Sequence, residues 1–506
     1  LIRLIYEVIK MLFDYDDTNI NSVLNYAKKI ENMTFRDILN LCKEYLTDAK
    51  NGNEMNRSDK FIHSLKTDKL LTSENSKGQL GNIIEKFYFG YEPNSNQNAD
   101  LDKIGVEIKQ TPIDIKKNGT LTAGERLVIT MISYTDPVEE DFYKSHVYEK
   151  IKNVLLVQYI RDKSKNRLDN RIKYVNLFTP PPEDLEIIIN DYKVITQKIK
   201  EGKAHELSES DTYYLGACTK GSTAKSSWRE QYYGSHIPAK KRAFCLKNSY
   251  MTHVLQDYVL THKLENESII KNIDELKHLS FEQIIINKIN HYKNKTDEEL
   301  CSLFDREYNN NKSQWIDLSY RMLGIKGNHA EEFEKANVKV KAIRIEANGK
   351  NKESISFPTF KYKELANETW DTSFIHEYFS TTKFLFVIFK SNGKTYNLLG
   401  AQMWNMPYND LEETVKNGWL AIQEKIITGI TFTKTSNCIK NDLPKKSDNP
   451  IIHVRPHAQK AAFKLKDGYS QGNINRDANE LPDGQWMTTH SFWINNDYIL
   501  KQLKYK

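Results

Sequence analysis

Apolar residues recur at helical spacing through IENMTFRDILNLCKEYL, where Thr34 is placed to cap the helix, and again through KGQLGNIIEKFYFG, which Gly90 ends. The opening LIRLIYEVIKMLF is broken by Arg3, Glu7 and Lys10 and has no small-residue cleavage site, so it is expected to form an amphipathic helix and not a signal peptide. From residue 105 the period falls to two. GVEIKQTP, ERLVITMISY and VLLVQYI are β-rich runs separated by turn signals, among them Asn118-Gly119. A further helix is expected near 184–200, followed by the polar, Gly-, Ser- and Lys-rich stretch TKGSTAKSSW at 219–228.

The order then restarts. DELKHLSFEQIIINKI echoes NYAKKIENMTFRDILNLC, with Ser280 in the capping role of Thr34, and KSQWIDLSYRMLG echoes KGQLGNIIEKFYFG. NVKVKAIRIEANGKNKESISF echoes GVEIKQTPIDIKKNGTLTAGERLVI, and TTKFLFVIF echoes IKNVLLVQYI. AFCLKNSYMTHVL at 243–255 is matched by SFWINNDYILKQL at 491–503. Five echoes in one order predict an α/β chain of two tandem units, 1–265 and 270–506, joined by a linker near 262–272.

Length and composition narrow the classes. With 506 residues, 39% of them hydrophobic, the chain has material for real cores, and global disorder is excluded. No apolar run reaches the ~20 residues that span a bilayer, so no membrane partner is expected. Cys42, Cys218, Cys245, Cys301 and Cys438 form no CxxC pair, which argues against zinc and a disulfide framework and suits a cytoplasmic setting. A net charge of +6 permits a polyanionic partner without requiring one.

The stretch ADLDKIGVEIKQTP, 99–112, carries the candidate chemistry. In a strand, residues two apart share a face, so Glu107 and Lys109 project together while Val106 and Ile108 pack behind them. Asp100 can return from a turn to stand beside Glu107. Two carboxylates offer the hard oxygen ligands that Mg²⁺ prefers, and a lysine beside them can orient water or stabilise charge on a phosphate. The bland alternative is a salt-bridged strand face, and Asp102 is a rival to Asp100.

The surrounding residues favour the chemistry. GQLGNIIEKFYFG…ADLDKIGVEIKQTP, SHVYEKIKNVLLV at 145–157 and GKAHELSESDTYYLGACTKGSTA at 202–224 resemble the MutH family of mismatch-repair nicking enzymes and restriction endonucleases that cut at GATC. Nearly end to end, the chain is most similar to members with two MutH-like domains, and MTTHSFWINNDYI and HVRPH extend the resemblance. It implies two restriction-endonuclease-like domains, each a mixed sheet flanked by helices. It also implies Asp100 and Glu107 as Mg²⁺ ligands, Lys109 as the catalytic lysine, Lys150 as a second lysine near the phosphate, and Glu85 as a helix-borne acid near the metal. Glu85 departs from the family by lying one residue further from Gly90. His146 is left as structural. Cys218 stands where the repair enzyme has an arginine in its DNA-reading loop, so base contacts would fall to Thr219, Lys220 and Gly221.

The second copy differs. Lys339 falls opposite Glu107, Lys341 opposite Lys109 and Glu332 opposite Asp100, so the pair of metal-binding acids is missing. Arg455, opposite Cys218, and Pro456 look like the arginine-proline pair with which the repair enzyme enters the major groove. The expectation is a type II restriction endonuclease, monomeric in solution, whose N-terminal unit cuts GATC while its C-terminal unit binds a second copy as effector. A mismatch-repair nicking enzyme would need one copy only, and a GATC-binding protein without activity would not need Asp100, Glu107 and Lys109.

Overall fold

The computed structural model describes residues 12–50, 63–65, 68, 80–92, 98–220, 227–234, 237–261, 266–309, 311–436 and 438–504. Of the opening helix expected over 1–13, residues 1–11 lie outside them, as do Gly221 and residues 262–265 of the expected linker, while Leu12 and Phe13 form a turn. The chain divides into two compact units. One comprises Leu1–His205, Thr212–Asn266 and Glu334–Ala336; the other comprises Glu206–Asp211, Glu267–Phe333 and Asn337–Lys506.

The first unit opens with α1 (Ile20–Lys28) and α2 (Phe35–Lys50). Asn19 caps α1 through the N–H groups of Asn21 and Ser22. Thr34 and Asp37 cap α2 reciprocally: the Thr34 N–H donates to the Asp37 carboxylate at 2.8 Å and the Asp37 N–H to the Thr34 hydroxyl at 3.1 Å. The next helical segment starts at Leu80–Asn82 and continues as a π-helix over Ile83–Tyr88, its wider turn visible in the Phe89 N–H bond to the Ile84 carbonyl. Tyr26 and Tyr88 lock this segment to α1. Each hydroxyl donates to the other's carbonyl at 2.8 Å, and the rings stack 4.4 Å apart.

The main sheet contains β1 (Glu107–Ile115), β2 (Leu121–Ala123), β4 (Val154–Ile160) and β5 (Arg171–Phe178) in the order β2-β1-β4-β5. β1 and β4 are parallel, with Glu107 opposite Val154 and Lys109 opposite Leu156. Val154–Tyr159 is buried throughout, as a central strand covered on both faces must be. A hairpin at Asn118-Gly119 joins β1 to β2, with Gly119 at positive φ. A second, antiparallel sheet places β7 (Arg242–Leu246) between β3 (Leu127–Met131) and β6 (Leu215–Thr219). Between the sheets in sequence run α3 (His146–Ile151) and α4 (Pro182–Lys200).

The second unit repeats this order. β8 (Val338–Ile345) is parallel to β10 (Lys383–Ser391), which is antiparallel to β11 (Tyr396–Trp404). β13 (His490–Ile494) lies between β9 (Ile355–Thr359) and β12 (Ile452–Pro456). Helix α5 (Phe281–Asn290) starts at a capping box of Ser280 and Gln283, and α6 (Lys312–Met322) precedes β8. Its core is aromatic, with Phe384, Phe386, Trp404 and Trp419 packed together.

Two expectations change. The alternation at 104–108 predicts a strand from residue 105, but residues 102–105 form a turn and β1 begins at Glu107. The run ERLVITMISY yields only Leu127–Met131, where pairing with β7 is interrupted between Val128 and Thr130.

Asp191, buried in α4, fixes the start of β6. Its carboxylate accepts the N–H groups of Tyr213, Tyr214 and Leu215 at 2.9, 2.6 and 2.9 Å. Burial pushes its carboxyl up to about 6 against the pull of Lys247 and these bonds. Asp191→Ala should cost about 3 kcal/mol, because buried donors lose their acceptor, and should lower the melting temperature by several degrees. An unchanged melting curve would remove Asp191 from this role.

Candidate active site

Glu107 begins β1, where its N–H donates to the Asn153 carbonyl at 3.0 Å, and it is only 1% exposed. The Lys109 ammonium donates to its Oε1 at 2.5 Å. Lys150, on α3, donates to Oε1 and Oε2 at 3.1 and 3.3 Å. α3 leads directly into β4, the parallel neighbour of β1, so the fold brings the two lysines to one carboxylate.

Asp100 arrives through the turn at 102–105. Gly105 takes φ +60°, and a Cβ there would stand 2.7 Å from Lys152 Cε. The turn brings the Asp100 carboxylate to the Ile108 N–H, which donates to Oδ2 at 2.9 Å. Asp102 is exposed in the turn. Burial pushes the Asp100 carboxyl above its ordinary range and the charge of Glu107 adds to this; the Ile108 N–H and the two lysines oppose it.

Glu85 reaches the same cluster from the π-helix. Its carboxyl is pushed up to about 7, first by burial and then by the charge of Asp100, with Lys109 opposing and Glu107 adding to the rise. Glu85 lies in the wide turn of the π-helix, five residues before Gly90. Gly81 keeps the approach open, since a Cβ there would stand 3.0 Å from Gln110 Oε1 and 3.5 Å from Glu85 Oε1. Among the described residues no group of three or more His, Cys, Asp or Glu side chains is close enough to hold a metal ion. Asp100 and Glu107 supply two hard oxygen ligands. The crowded, desolvated carboxyls make a site whose charge a divalent cation would relieve, so the donor set fits Mg²⁺.

In the stretch expected to read DNA, Cys218 lies inside β6, buried against Ala243 and Cys245. Thr219 is exposed at the strand end, and the Lys220 N–H donates to the Lys241 carbonyl at 2.7 Å. In the second unit Arg455 and Pro456 occupy the corresponding strand positions. Arg455 pairs with Ser491 as Cys218 pairs with Ala243, yet Arg455 is exposed, with its guanidinium 5.1 Å over the Trp493 ring. His146 is tied to Glu139, whose Oε1 lies 2.9 Å from its Nε2.

A family model described as "DNA mismatch repair enzyme MutH" matches residues 89–191, the segment holding Asp100, Glu107, Lys109 and Lys150. The "Type II restriction enzyme Sau3AI" of Staphylococcus aureus is 37% identical over 465 residues, which are 85% of this chain and 93% of that protein. The chain belongs to the MutH-like type II restriction endonucleases. The "DNA mismatch repair protein MutH" of Vibrio campbellii is 25% identical over 194 residues, 37% of this chain and 82% of that protein. That of Shigella boydii is 25% identical over 198 residues, 38% and 83%.

As a MutH-like restriction endonuclease the chain is a site-specific deoxyribonuclease. Its second copy of the motif has different chemistry. Lys339 and Lys341 share a face of β8, in register with Phe384 and Phe386 of β10. Glu332 serves the backbone, accepting the Ile269 N–H at 3.0 and 2.9 Å and the Ile270 N–H at 2.9 Å. Gly81 and Gly105 border the first site without belonging to any chemical motif.

The raised carboxyl of Glu85 makes a prediction for the metal-free protein. Below about pH 4.5 Glu85 is protonated whether the chain is folded or not, and it contributes nothing. As pH rises towards 7 the unfolded chain loses the proton first, so the fold is progressively penalised, and above 7 the penalty is complete. Glu85→Gln should therefore stabilise the fold in EDTA by on the order of 2 kcal/mol at pH 8 and much less at pH 5, read as a higher melting temperature at pH 8. A gain independent of pH would contradict the electrostatic account.

Proposed function

We propose that the chain makes double-strand breaks at GATC by Mg²⁺-dependent phosphodiester hydrolysis in its first unit, residues 1–265. The second unit, residues 270–506, binds another GATC copy as an effector. The observation that carries this reading is one complete cluster of Asp100, Glu107, Lys109 and Lys150 beside a copy with lysines at the corresponding strand positions. Asp100 and Glu107 would hold Mg²⁺, which when bound would supply Lewis-acid polarisation of the scissile phosphate. Lys109 would orient the attacking water, and Lys150 would neutralise charge gathering on the phosphate oxygens. Glu85 would stand as the third acid beside the metal. Thr219, Lys220 and Gly221 would make base contacts in the cutting unit.

Arg455, exposed on the second reading strand and followed by Pro456, suits bidentate contact with guanine O6 and N7. For a distant GATC to stimulate cutting, its binding must favour the cutting-competent state or raise the local concentration of the other site by looping the DNA. The protein would work as a cytoplasmic monomer that holds two sites. No described helix is long and apolar enough to cross a membrane.

Glu107→Ala and Lys109→Ala should each lower cleavage of a GATC plasmid in Mg²⁺ by a factor on the order of 10³ or more while a gel shift still detects binding. Near-wild-type cleavage by either variant refutes the site. Two-site plasmids should be cut faster per site than one-site plasmids, and Arg455→Ala should abolish that difference. Equal rates in the wild type, with no stimulation by added GATC duplex, would sink the effector reading.

A further inference from the structure

Between β6 and β7 of the first unit the chain forms a short hairpin in which Trp228–Arg229 pairs with Ala239–Lys240. It grows directly from the strand expected to read DNA. The Lys220 N–H donates to the Lys241 carbonyl at 2.7 Å, and the Lys241 N–H to the Ser227 carbonyl at 2.5 Å. Its far end is anchored. Gln231 is buried, its Oε1 accepting the Ala204 N–H at 2.8 Å and its Nε2 donating to the Ile237 carbonyl. The Tyr232 N–H donates to the Tyr134 carbonyl at 2.6 Å, and a Cβ on Gly234 would stand 2.6 Å from the Gly202 Cα. On this fixed backbone large apolar side chains face solvent: Trp228 is 43% exposed, Ile237 45% and Tyr232 55%. Trp228 and Lys240 stand directly opposite across the antiparallel pair, so an indole and an ammonium share one face.

An anchored loop that leaves three large apolar side chains in water marks an interaction surface. The charge around it selects the partner. Among the described residues of 219–241, Lys220, Arg229, Lys240 and Lys241 are cationic and Glu230 is the one acid, a balance that suits a polyanion. The segment between β12 and β13 of the second unit has neither property. Its lysines and arginine at 460, 464, 466 and 476 are balanced by acids at 467, 477, 480 and 483, and it exposes no large apolar side chain. We propose that the hairpin grips duplex DNA beside the recognition sequence, with the Trp228 ring laid against the sugars of the flanking backbone and Lys240 beside the adjoining phosphate. Contacts to the backbone carry no base information; they fix the position of the protein on the duplex. The hairpin therefore extends the footprint of the cutting unit, and cutting depends on flanking duplex. This inference rests on the proposal that the first unit cuts at GATC, and it gives that site a second, sequence-independent contact.

The test compares a GATC duplex carrying a full helical turn of flanking DNA on each side with one trimmed close to the site. In Mg²⁺ the full chain should cut the long duplex with a kcat/KM about tenfold above that for the trimmed one, the worth of one aromatic contact to DNA. Trp228→Ala should remove this advantage, and the loss should appear in KM. Trp228→Tyr should keep most of it. Lys240→Met should make the dependence of log K on log salt shallower by about one for the long duplex. No length dependence in the wild type, an advantage undiminished in Trp228→Ala, or equal losses on both duplexes overturns the proposal. A wild-type dimer that Trp228→Ala turns into a monomer in sedimentation also overturns it, because the apolar face would then belong to a second copy. In EDTA, where nothing is cut, the long duplex should quench more tryptophan emission in the wild type than in Trp228→Phe. Equal quenching refutes the contact whether or not the chain cuts GATC, whereas a quenching difference in a chain that leaves GATC duplexes intact keeps the contact and refutes the cutting reading.

Discussion

Burying a carboxylate at the head of a parallel strand costs several kcal/mol unless cations come with it, and removing those cations leaves the charge stranded. Glu107 is in this position, and Lys109 and Lys150 are the cations that accompany it. Much of the first unit's architecture serves the grouping. The parallel pairing of β1 and β4 puts α3 within reach, the turn at Gly105 returns Asp100 to the strand, and the Tyr26–Tyr88 lock holds the helix that bears Glu85. Burial first, and then the like charges of the three neighbouring carboxylates, raise the Glu85 and Asp100 carboxyls.

The two units show how far chemistry can diverge on one topology. Both pair a parallel strand couple with an antiparallel third, and both place the last strand at the centre of a second sheet. Strand register is preserved because it is set by backbone pairing and by the apolar face, which remain Val, Ile, Leu and Phe. The polar face is free to change. Glu107 at one copy becomes Lys339 at the other, and the buried thiol of Cys218 becomes the exposed Arg455 at the corresponding strand position. Activity therefore belongs to a few side chains on a shared frame.

Much of this was legible in the chain. β4 follows its apolar run residue for residue, the Asn118-Gly119 hairpin forms where its signal lies, and the serial echoes follow the repeated topology. The start of β1 was not legible, because Ile104 continues the alternation although Gly105 takes a left-handed conformation that ends it. The burial of Cys218 was also hidden, since the period of a strand does not say which face a second sheet will cover.

The π-helix at Ile83–Tyr88 has a consequence for how such sites are found. A helix that takes up one residue as a wide turn can carry its acid to the same cluster while the count to the closing glycine changes. Any search pattern with a fixed acid-to-glycine interval will pass over chains of this kind. Helical segments next to catalytic strands are therefore better compared by the face they present than by the number of residues they contain.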